Sequence, residues 1–185
     1  MVFPGCARIR ARSSSKSSRK NQDNRRWVMT ENLLEMLTPD RIRCNVRVAD
    51  WKEAVAFTGK AMEQAGLAES RYTTAMRELI EKEGPYLVIA PGIALLHARP
   101  EEGVLKAGFV MITLSSPVNF GHSTNDPVWL LFGLAAATDK SHVQALSELA
   151  LFLSEPGSID ALRNGKNEED LMEVIREYST SKSNK

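Results

Sequence analysis

The feature that most constrains the fold of this chain is a set of short, continuous apolar runs in its second half. Runs at 86–90 and 93–96 flank the turn dipeptide Pro91-Gly92, and a longer run spans 128–136. Short apolar runs bounded by Gly and Pro are typical of strands buried on both faces, although the longest run also allows a helix. Such strands need helices on both sides of their sheet. The pattern therefore predicts a layered α/β fold.

Amphipathic segments with helix start and stop signals surround these runs. Asp50 and Glu53 have the spacing of a capping box, and Ser70 is expected to cap a second helix that ends at Gly84-Pro85. A further strand is expected over 106–114. Three more helices are predicted: one capped by Asp139, one over 159–163 and one over 168–178. Together these elements indicate a single α/β domain, a mixed sheet with at least one parallel strand pair, flanked by helices.

Charge divides the chain unevenly. Residues 1–28 hold eight Lys/Arg and one acidic residue, a net +7, whereas the remainder holds 16 basic and 22 acidic residues, a net −6. The first segment is also poor in large apolar side chains, so we expect 1–28 to be a disordered basic leader, 29–178 the folded domain and 179–185 a polar tail. Such a leader could bind nucleic acid or anionic lipid, or precede a translation start at Met29. We expect the leader to have no part in the function of the folded domain, and we expect no nucleic-acid partner.

Other sequence features exclude several classes of protein. The two cysteines, Cys6 and Cys44, are too few for a disulfide framework, which favours a reducing, cytoplasmic compartment. The apolar run 128–137 is far shorter than the roughly 20 residues that a membrane span needs. Glycine-rich nucleotide-binding motifs are absent from the sequence. We therefore expect no nucleotide cofactor.

The three histidines are the candidate functional residues. His97 follows the run 93–96, His122 lies in a predicted loop, and His142 falls in the first turn of a predicted helix. The positive end of a helix dipole attracts anions and disfavours a charged imidazole. Three interpretations remain open at this point: a metal site built from the three imidazoles, ordinary polar residues near loops, or nucleophilic catalysis in which one imidazole accepts a phosphoryl group.

Two segments resemble a known family. The segment 84–103, Gly-Pro-Tyr-Leu-Val-Ile-Ala-Pro-Gly-Ile-Ala-Leu-Leu-His-Ala-Arg-Pro-Glu-Glu-Gly, closely resembles the active-site segment of the mannitol/fructose-type EIIA domains of the bacterial phosphoenolpyruvate-dependent sugar phosphotransferase system. The stretches 120–128 and 134–142 fit the same family, and Asn-Asp-Pro-Val with His122 is most similar to its ascorbate-type branch. The resemblance covers about residues 30–178.

The resemblance implies a specific function. In this family phospho-HPr donates a phosphoryl group to a histidine of EIIA, which passes it to EIIB, and EIIB phosphorylates the sugar entering through the membrane component EIIC. His97 matches the phosphorylated histidine and His142 the second active-site histidine. His122 stands where mannitol-type members have an acidic residue, so no direct role is expected for it. No cofactor and no metal are implied.

The sequence also departs from the family pattern. Leu96 stands where many members have proline before the phosphorylated histidine, and no arginine aligns with the one that precedes the active-site strand in mannitol-type members. Arg99 and Arg77 are candidates for the missing positive charge. These departures allow a degenerate domain that binds partners without being phosphorylated. The resemblance itself allows a second alternative to transport, a regulatory EIIA whose phosphorylation state controls partner binding.

Overall fold

A five-stranded mixed sheet forms the centre of the protein in the computed structural model, which describes residues 33–183. The strands are β1 (Ile42–Val46), β2 (Val88–Ala90), β3 (Ile93–Leu96), β4 (Gly108–Val118) and β5 (Val128–Ala135). They lie in the order β1-β4-β5-β3-β2. The pairs β1–β4 and β3–β5 are parallel, whereas β4–β5 and β2–β3 are antiparallel. The predicted mixed α/β sheet with parallel pairing is confirmed.

Helices cover both faces of this sheet. They are α1 (Leu33–Met36), α2 (Trp51–Gln64), α3 (Ser70–Glu83), α4 (Asp139–Ser154), α5 (Ser158–Asn164) and α6 (Glu168–Ser183). One hydrophobic core joins α2 and α3 to the sheet, and a second core joins α1, α4, α5 and α6 to its other face. Among residues 33–183, no helix has the length and hydrophobicity needed to cross a membrane.

Two neighbouring interior strands, β3 and β5, explain why the apolar runs are continuous. Every residue of β3 and β5 is buried, because consecutive side chains alternate between the two cores. Full burial of one large aliphatic or aromatic side chain contributes about 1.5–3 kcal/mol. At Gly133 the sheet meets α2 closely, since a Cβ there would lie 2.6 Å from Cγ2 of Thr58. The centre of the sheet is therefore tightly packed on both faces.

The structure adds two elements that the sequence did not predict and extends the last helix. The sequence does not predict α1, because it is only four residues long. It does not predict β1 either, because this edge strand contains exposed or half-buried polar residues instead of a continuous apolar run. The last helix was expected to end at Tyr178, but α6 continues to Ser183 and Ser179 is buried. The predicted leader, 1–28, lies outside the described residues.

Two of the three predicted helix caps shift by one residue. Asp50 is an N-cap as predicted, and its carboxylate accepts from the amide of Glu53 at 2.9 Å. Ser70, however, is the first residue of α3, which follows Glu69 and has no side-chain cap. At α4 the cap is Thr138 rather than Asp139, because Thr138 and Ser141 form a reciprocal capping box. A carboxylate and a hydroxyl at adjacent positions are both good caps, and sequence alone does not choose between them.

Candidate functional site

The pairing of β3 with β5 brings His97 to the start of α4. His97 directly follows β3, whose last residue, Leu96, pairs with Gly133 near the end of β5. Because β3 and β5 are parallel, their carboxyl ends lie at the same edge of the sheet, and the chain enters α4 just beyond that edge. Ile93 and Leu95 belong to the core on the α4 face. Strand alternation therefore directs the next odd residue, His97, toward α4.

His97 and His142 form a pair at this edge. Their ring centroids are 5.4 Å apart, with the ring planes inclined at 54°. Both side chains are partly buried. The predicted association of these two histidines is therefore present in the structure, although the sequence separates them by 45 positions.

The backbone selects one tautomer of His97. Nδ1 of the ring lies 3.0 Å from the carbonyl oxygen of Leu95. A carbonyl oxygen only accepts hydrogen bonds, so the hydrogen of the neutral ring is on Nδ1. Nε2 then carries the free lone pair. The ring is held so that Nε2 is its nucleophilic atom.

The surroundings also keep the ring neutral. Burial lowers the pKa of His97, the hydrogen bond to the Leu95 carbonyl partly opposes that shift, and nearby His142 lowers the pKa further. A lowered pKa means that the unprotonated ring predominates at pH 7. His97 is therefore available as a nucleophile without a separate base to deprotonate it.

His142 is held by the first turn of α4. Its amide donates to the carbonyl of Thr138 at 2.9 Å, and the capping box between Thr138 and Ser141 closes the same turn. The first amides of a helix have no acceptors within the helix, and the dipole places positive potential there. An anion beside this imidazole pair would therefore be stabilised by the helix start as well as by His142.

A buried tyrosine, which sequence reasoning missed, fixes the backbone after His97. Tyr72 of α3 is 1% exposed, and its hydroxyl accepts from the amide of Ala98 at 2.9 Å. The same hydroxyl lies 3.0 Å from the carbonyl oxygens of Ala98 and Leu134. From the sequence, Tyr72 is recognisable only as a residue on the apolar face of a helix. The one feature that could have pointed to its role is that a buried phenol needs a hydrogen-bond partner.

His122 lies at the opposite edge of the sheet. It precedes β5, whereas the pair lies beyond the far end of that strand, and eight residues of strand span about 23 Å. Its Nδ1 accepts from the amides of Thr124 and Asn125, at 3.3 and 3.1 Å, so the ring organises its own loop. The three imidazoles are therefore not close together, and the alternative of a metal site built from them is wrong. Within residues 33–183 no three potential metal ligands cluster.

The two candidate arginines form neither a hydrogen bond nor an ion pair with the histidine pair. Arg99 and Arg77 are both exposed, and neither guanidinium group forms a hydrogen bond or ion pair with another residue of the described range 33–183. Leu96, which replaces the family's proline, is fully buried and continues the pairing of β3 with β5. That Arg99 or Arg77 supplies the missing positive charge thus stays a prediction.

Comparison with known proteins defines the family. Residues 35–178 match the model of the family described as "Phosphoenolpyruvate-dependent sugar phosphotransferase system, EIIA 2". The match covers most of the chain and includes both histidines of the pair. The chain belongs to this EIIA family. It is therefore a phosphotransferase component that carries phosphoryl groups in sugar uptake, as the resemblance implied.

Several relatives share a large part of the sequence. The ascorbate-specific PTS system EIIA component of Escherichia coli (strain K12) is 36% identical over 135 residues, which cover 72% of this chain and 88% of that protein. The component of the same name from Shigella boydii is 35% identical over the same shares of the two chains.

Solved structures share the EIIA fold. The PTS IIA protein PtxA of Streptococcus mutans superposes with a TM-score of 0.71 at 33% identity, covering 77% of this chain and 91% of its own. The mannitol-specific cryptic phosphotransferase enzyme IIA CmtB of Escherichia coli also gives 0.71, at 31% identity, covering 78% of this chain and 97% of its own.

Proposed function

We propose that Nε2 of His97 accepts a phosphoryl group from phospho-HPr and passes it to an EIIB component during uptake of an ascorbate-like sugar. One observation carries this proposal: the Nδ1 hydrogen bond to Leu95 leaves Nε2 as the free nucleophile of a ring whose pKa is lowered. The alternative nitrogen is occupied. A partner protein that approaches the sheet edge meets the lone pair of Nε2.

The transfer exchanges one nitrogen–phosphorus bond for another. The Nε2 lone pair attacks phosphorus in line as the bond from phosphorus to the donor's imidazole nitrogen breaks, and that nitrogen keeps the bonding electron pair. Phosphoryl transfer has a loose transition state in most analyses, so the protein mainly positions groups and stabilises charge. Because nucleophile and leaving group are of the same chemical type, the step is reversible and the group remains transferable to EIIB.

His142 and the start of α4 supply the charge stabilisation. The ring of His142 is close enough to donate a hydrogen bond to an oxygen of the transferring group on His97, given the 5.4 Å between ring centroids. The first turn of α4 adds its positive potential. The mechanism uses no cofactor and no metal ion, because the imidazoles and the helix start provide the positioning and the charge.

The choice of sugar and partners rests on the relatives. The relatives at 35% and 36% identity are named ascorbate-specific, which is why we assign this chain to an ascorbate-like sugar. A mannitol IIA of the same fold has been solved in complex with phosphorylated IIB of Escherichia coli, which supports a carrier that meets an EIIB. In this assignment the chain works in the cytoplasm and contacts the membrane EIIC only through EIIB.

The test is reconstitution with enzyme I, HPr and radiolabelled phosphoenolpyruvate. We expect His97→Ala to abolish labelling and His142→Ala to slow it by about tenfold to a hundredfold without preventing it, because His142 stabilises charge but holds no phosphorus. His122→Ala is the matched control, an imidazole lost at the other edge of the sheet, and should label at the rate of the unmodified chain.

Two results would change the assignment. Undiminished labelling of the His97→Ala variant would overturn it. Labelling of the unmodified chain followed by no transfer to an added ascorbate-type EIIB would favour the regulatory alternative over transport.

A further inference from the structure

The hydroxyl of Tyr72 occupies the point where β3 and β5 stop pairing. The last rung of their ladder joins Leu96 to Gly133, and the hydroxyl contacts backbone groups of Ala98, two residues beyond Leu96, and of Leu134, one residue beyond Gly133. The phenol accepts from the Ala98 amide at 2.9 Å and directs its own hydrogen toward the Ala98 and Leu134 carbonyls, each 3.0 Å away. One side chain thus replaces the backbone hydrogen bonds that the diverging strands no longer make.

The same helix start holds the rest of the segment after His97. Nη1 of Arg71 donates to the carbonyl of Glu101 at 3.1 Å, and the amide of Glu69 donates to the carbonyl of Gly103 at 2.8 Å. The Arg71 contact lies at the surface, whereas Tyr72 is buried. Of these three contacts, the one from the hydroxyl is the nearest to His97 along the chain.

We propose that Tyr72 is a positioning residue for phosphoryl transfer: its hydroxyl fixes the backbone beside His97 so that the ring stays on the Leu95 carbonyl with Nε2 free. This inference rests on the proposed role of His97. Two restraints act on the residue. The Leu95 carbonyl orients the ring from within the strand, and Tyr72 holds the peptide that follows. Loss of the second restraint lets the backbone move and weakens the first.

A neutral phenol is required for this role. It must accept from an amide and donate to a carbonyl at the same time, which a phenolate or a phenyl ring does not do. Burial raises the pKa of Tyr72 to about 12. The hydroxyl therefore keeps its hydrogen throughout the pH range in which His97 is a nucleophile.

The test compares Tyr72→Phe with Thr113→Val. Thr113 is a suitable control because its buried hydroxyl accepts from the amide of Asn45 at 3.0 Å, on the part of β4 that pairs with the start of β5. Both changes remove a buried hydroxyl from an amide. We expect Tyr72→Phe to lower kcat for phosphorylation by phospho-HPr about tenfold while KM changes less than twofold, because geometry at the reacting atom is lost but the docking surface is not. Thr113→Val should leave both constants within twofold.

Nitrogen-15 NMR of the histidine ring reports the tautomer of His97, which a loss of stability alone does not change. The unmodified chain and Thr113→Val should show His97 hydrogenated at Nδ1, and Tyr72→Phe a mixture of tautomers. Unchanged kcat together with an unchanged tautomer in folded Tyr72→Phe would overturn the proposal, as would an equal loss of kcat in both variants.

A measurement on the unmodified chain covers the case in which Tyr72→Phe does not fold. Ala98 lies beyond the end of β3, so its amide should be slow in hydrogen exchange only if the phenol holds it. Exchange at the rate of a free amide would contradict the proposal. If the chain is not phosphorylated at all, the role of His97 fails, whereas the exchange and tautomer measurements still decide whether Tyr72 holds the ring.

Discussion

At the scale of single residues, the phosphoryl transfer that we propose depends on which ring nitrogen of His97 carries the hydrogen. The carbonyl oxygen of Leu95, 3.0 Å from Nδ1, places the hydrogen on Nδ1. The partial burial of the ring lowers its pKa. The two effects are separate in origin. The hydrogen bond alone would raise the pKa of His97, but burial is the larger influence and the pKa is lowered.

A titration tests this balance. We expect the NMR-detected pKa of His97 to be below 6.5, the usual value for a histidine side chain. Below pH 6.5 the unfolded chain then takes up a proton at this position while the folded chain does not, so His97 lowers the free energy of unfolding as pH falls from 6.5 toward the folded pKa. Above pH 6.5 this effect vanishes.

His97→Gln provides the comparison for the titration. Glutamine does not titrate, so the fall in stability on acidification should be smaller in this variant, measured by urea unfolding at matched pH values. A titration midpoint above 6.5 would contradict the account, as would a steeper loss of stability in His97→Gln than in the unmodified chain.

Sequence reasoning reached part of this site. His97 and His142 were identified because imidazoles are rare here and because two segments resemble a family motif. The Leu95 carbonyl and Tyr72 were not, because a backbone atom has no sequence signal and a tyrosine on an apolar helix face is ordinary core material. The sequence identifies the candidate groups, whereas their tautomer and support depend on tertiary contacts.

At the scale of elements, the first turn of α4 contributes both to the stability of the fold and to the position of His142 in the site. The hydroxyl of Thr138 accepts from the amide of Ser141 at 3.1 Å, and Oγ of Ser141 accepts from the amide of Thr138 at 3.0 Å. This turn carries His142, so its fraying would move the second imidazole away from the first.

Thr138→Ala should therefore affect both properties. Loss of an N-cap hydroxyl costs about 1 kcal/mol of unfolding free energy, measurable by urea unfolding. Phosphorylation of His97 should also slow, by less than in His142→Ala, because the second imidazole is retained but held less firmly.

Ser154→Ala is the control at the other end of the same helix. Its hydroxyl donates to the carbonyl of Ala150 at 2.7 Å, an exposed contact remote from the histidine pair. The variant should label at the unmodified rate. If Thr138→Ala labels no more slowly than Ser154→Ala, the first turn of α4 does not position His142.

Elements differ in how well the sequence specifies them. β3 and β5 are recognisable because both of their faces are buried, which produces apolar runs without alternation. β1 escapes detection because it is short and lies at the sheet edge, where the side chains of Glu168 and Asn45 also bond to backbone groups. Edge strands depend on such contacts from other elements, which a single sequence does not display.

At the scale of the whole molecule, the site is a product of topology. The parallel pairing of β3 with β5 sends residue 97 and the helix after β5 to one edge, and sends the loop containing His122 to the other. Composition and periodicity predict the α/β class but not which strands are neighbours. That is why the sequence allows three histidines to meet, whereas the fold joins two of them.

The architecture also suits the two partners that we propose for this site. His97 is at an edge of the sheet and partly exposed, while the groups that fix it, Leu95 and Tyr72, are buried beneath it. A buried support below a partly exposed ring suits the successive, transient encounters with a donor and an acceptor protein that we propose. Such encounters bury small interfaces rather than the large ones of permanent complexes.

The most direct test of this account identifies the phosphorylated atom. The chain, labelled with nitrogen-15 in its histidines, is phosphorylated by enzyme I, HPr and phosphoenolpyruvate, and nitrogen–phosphorus coupling is measured in each histidine ring. The account predicts a single coupling, at Nε2 of His97, with Nδ1 still carrying its hydrogen. Coupling at Nδ1 of His97, or at His122 or His142 instead, would contradict it.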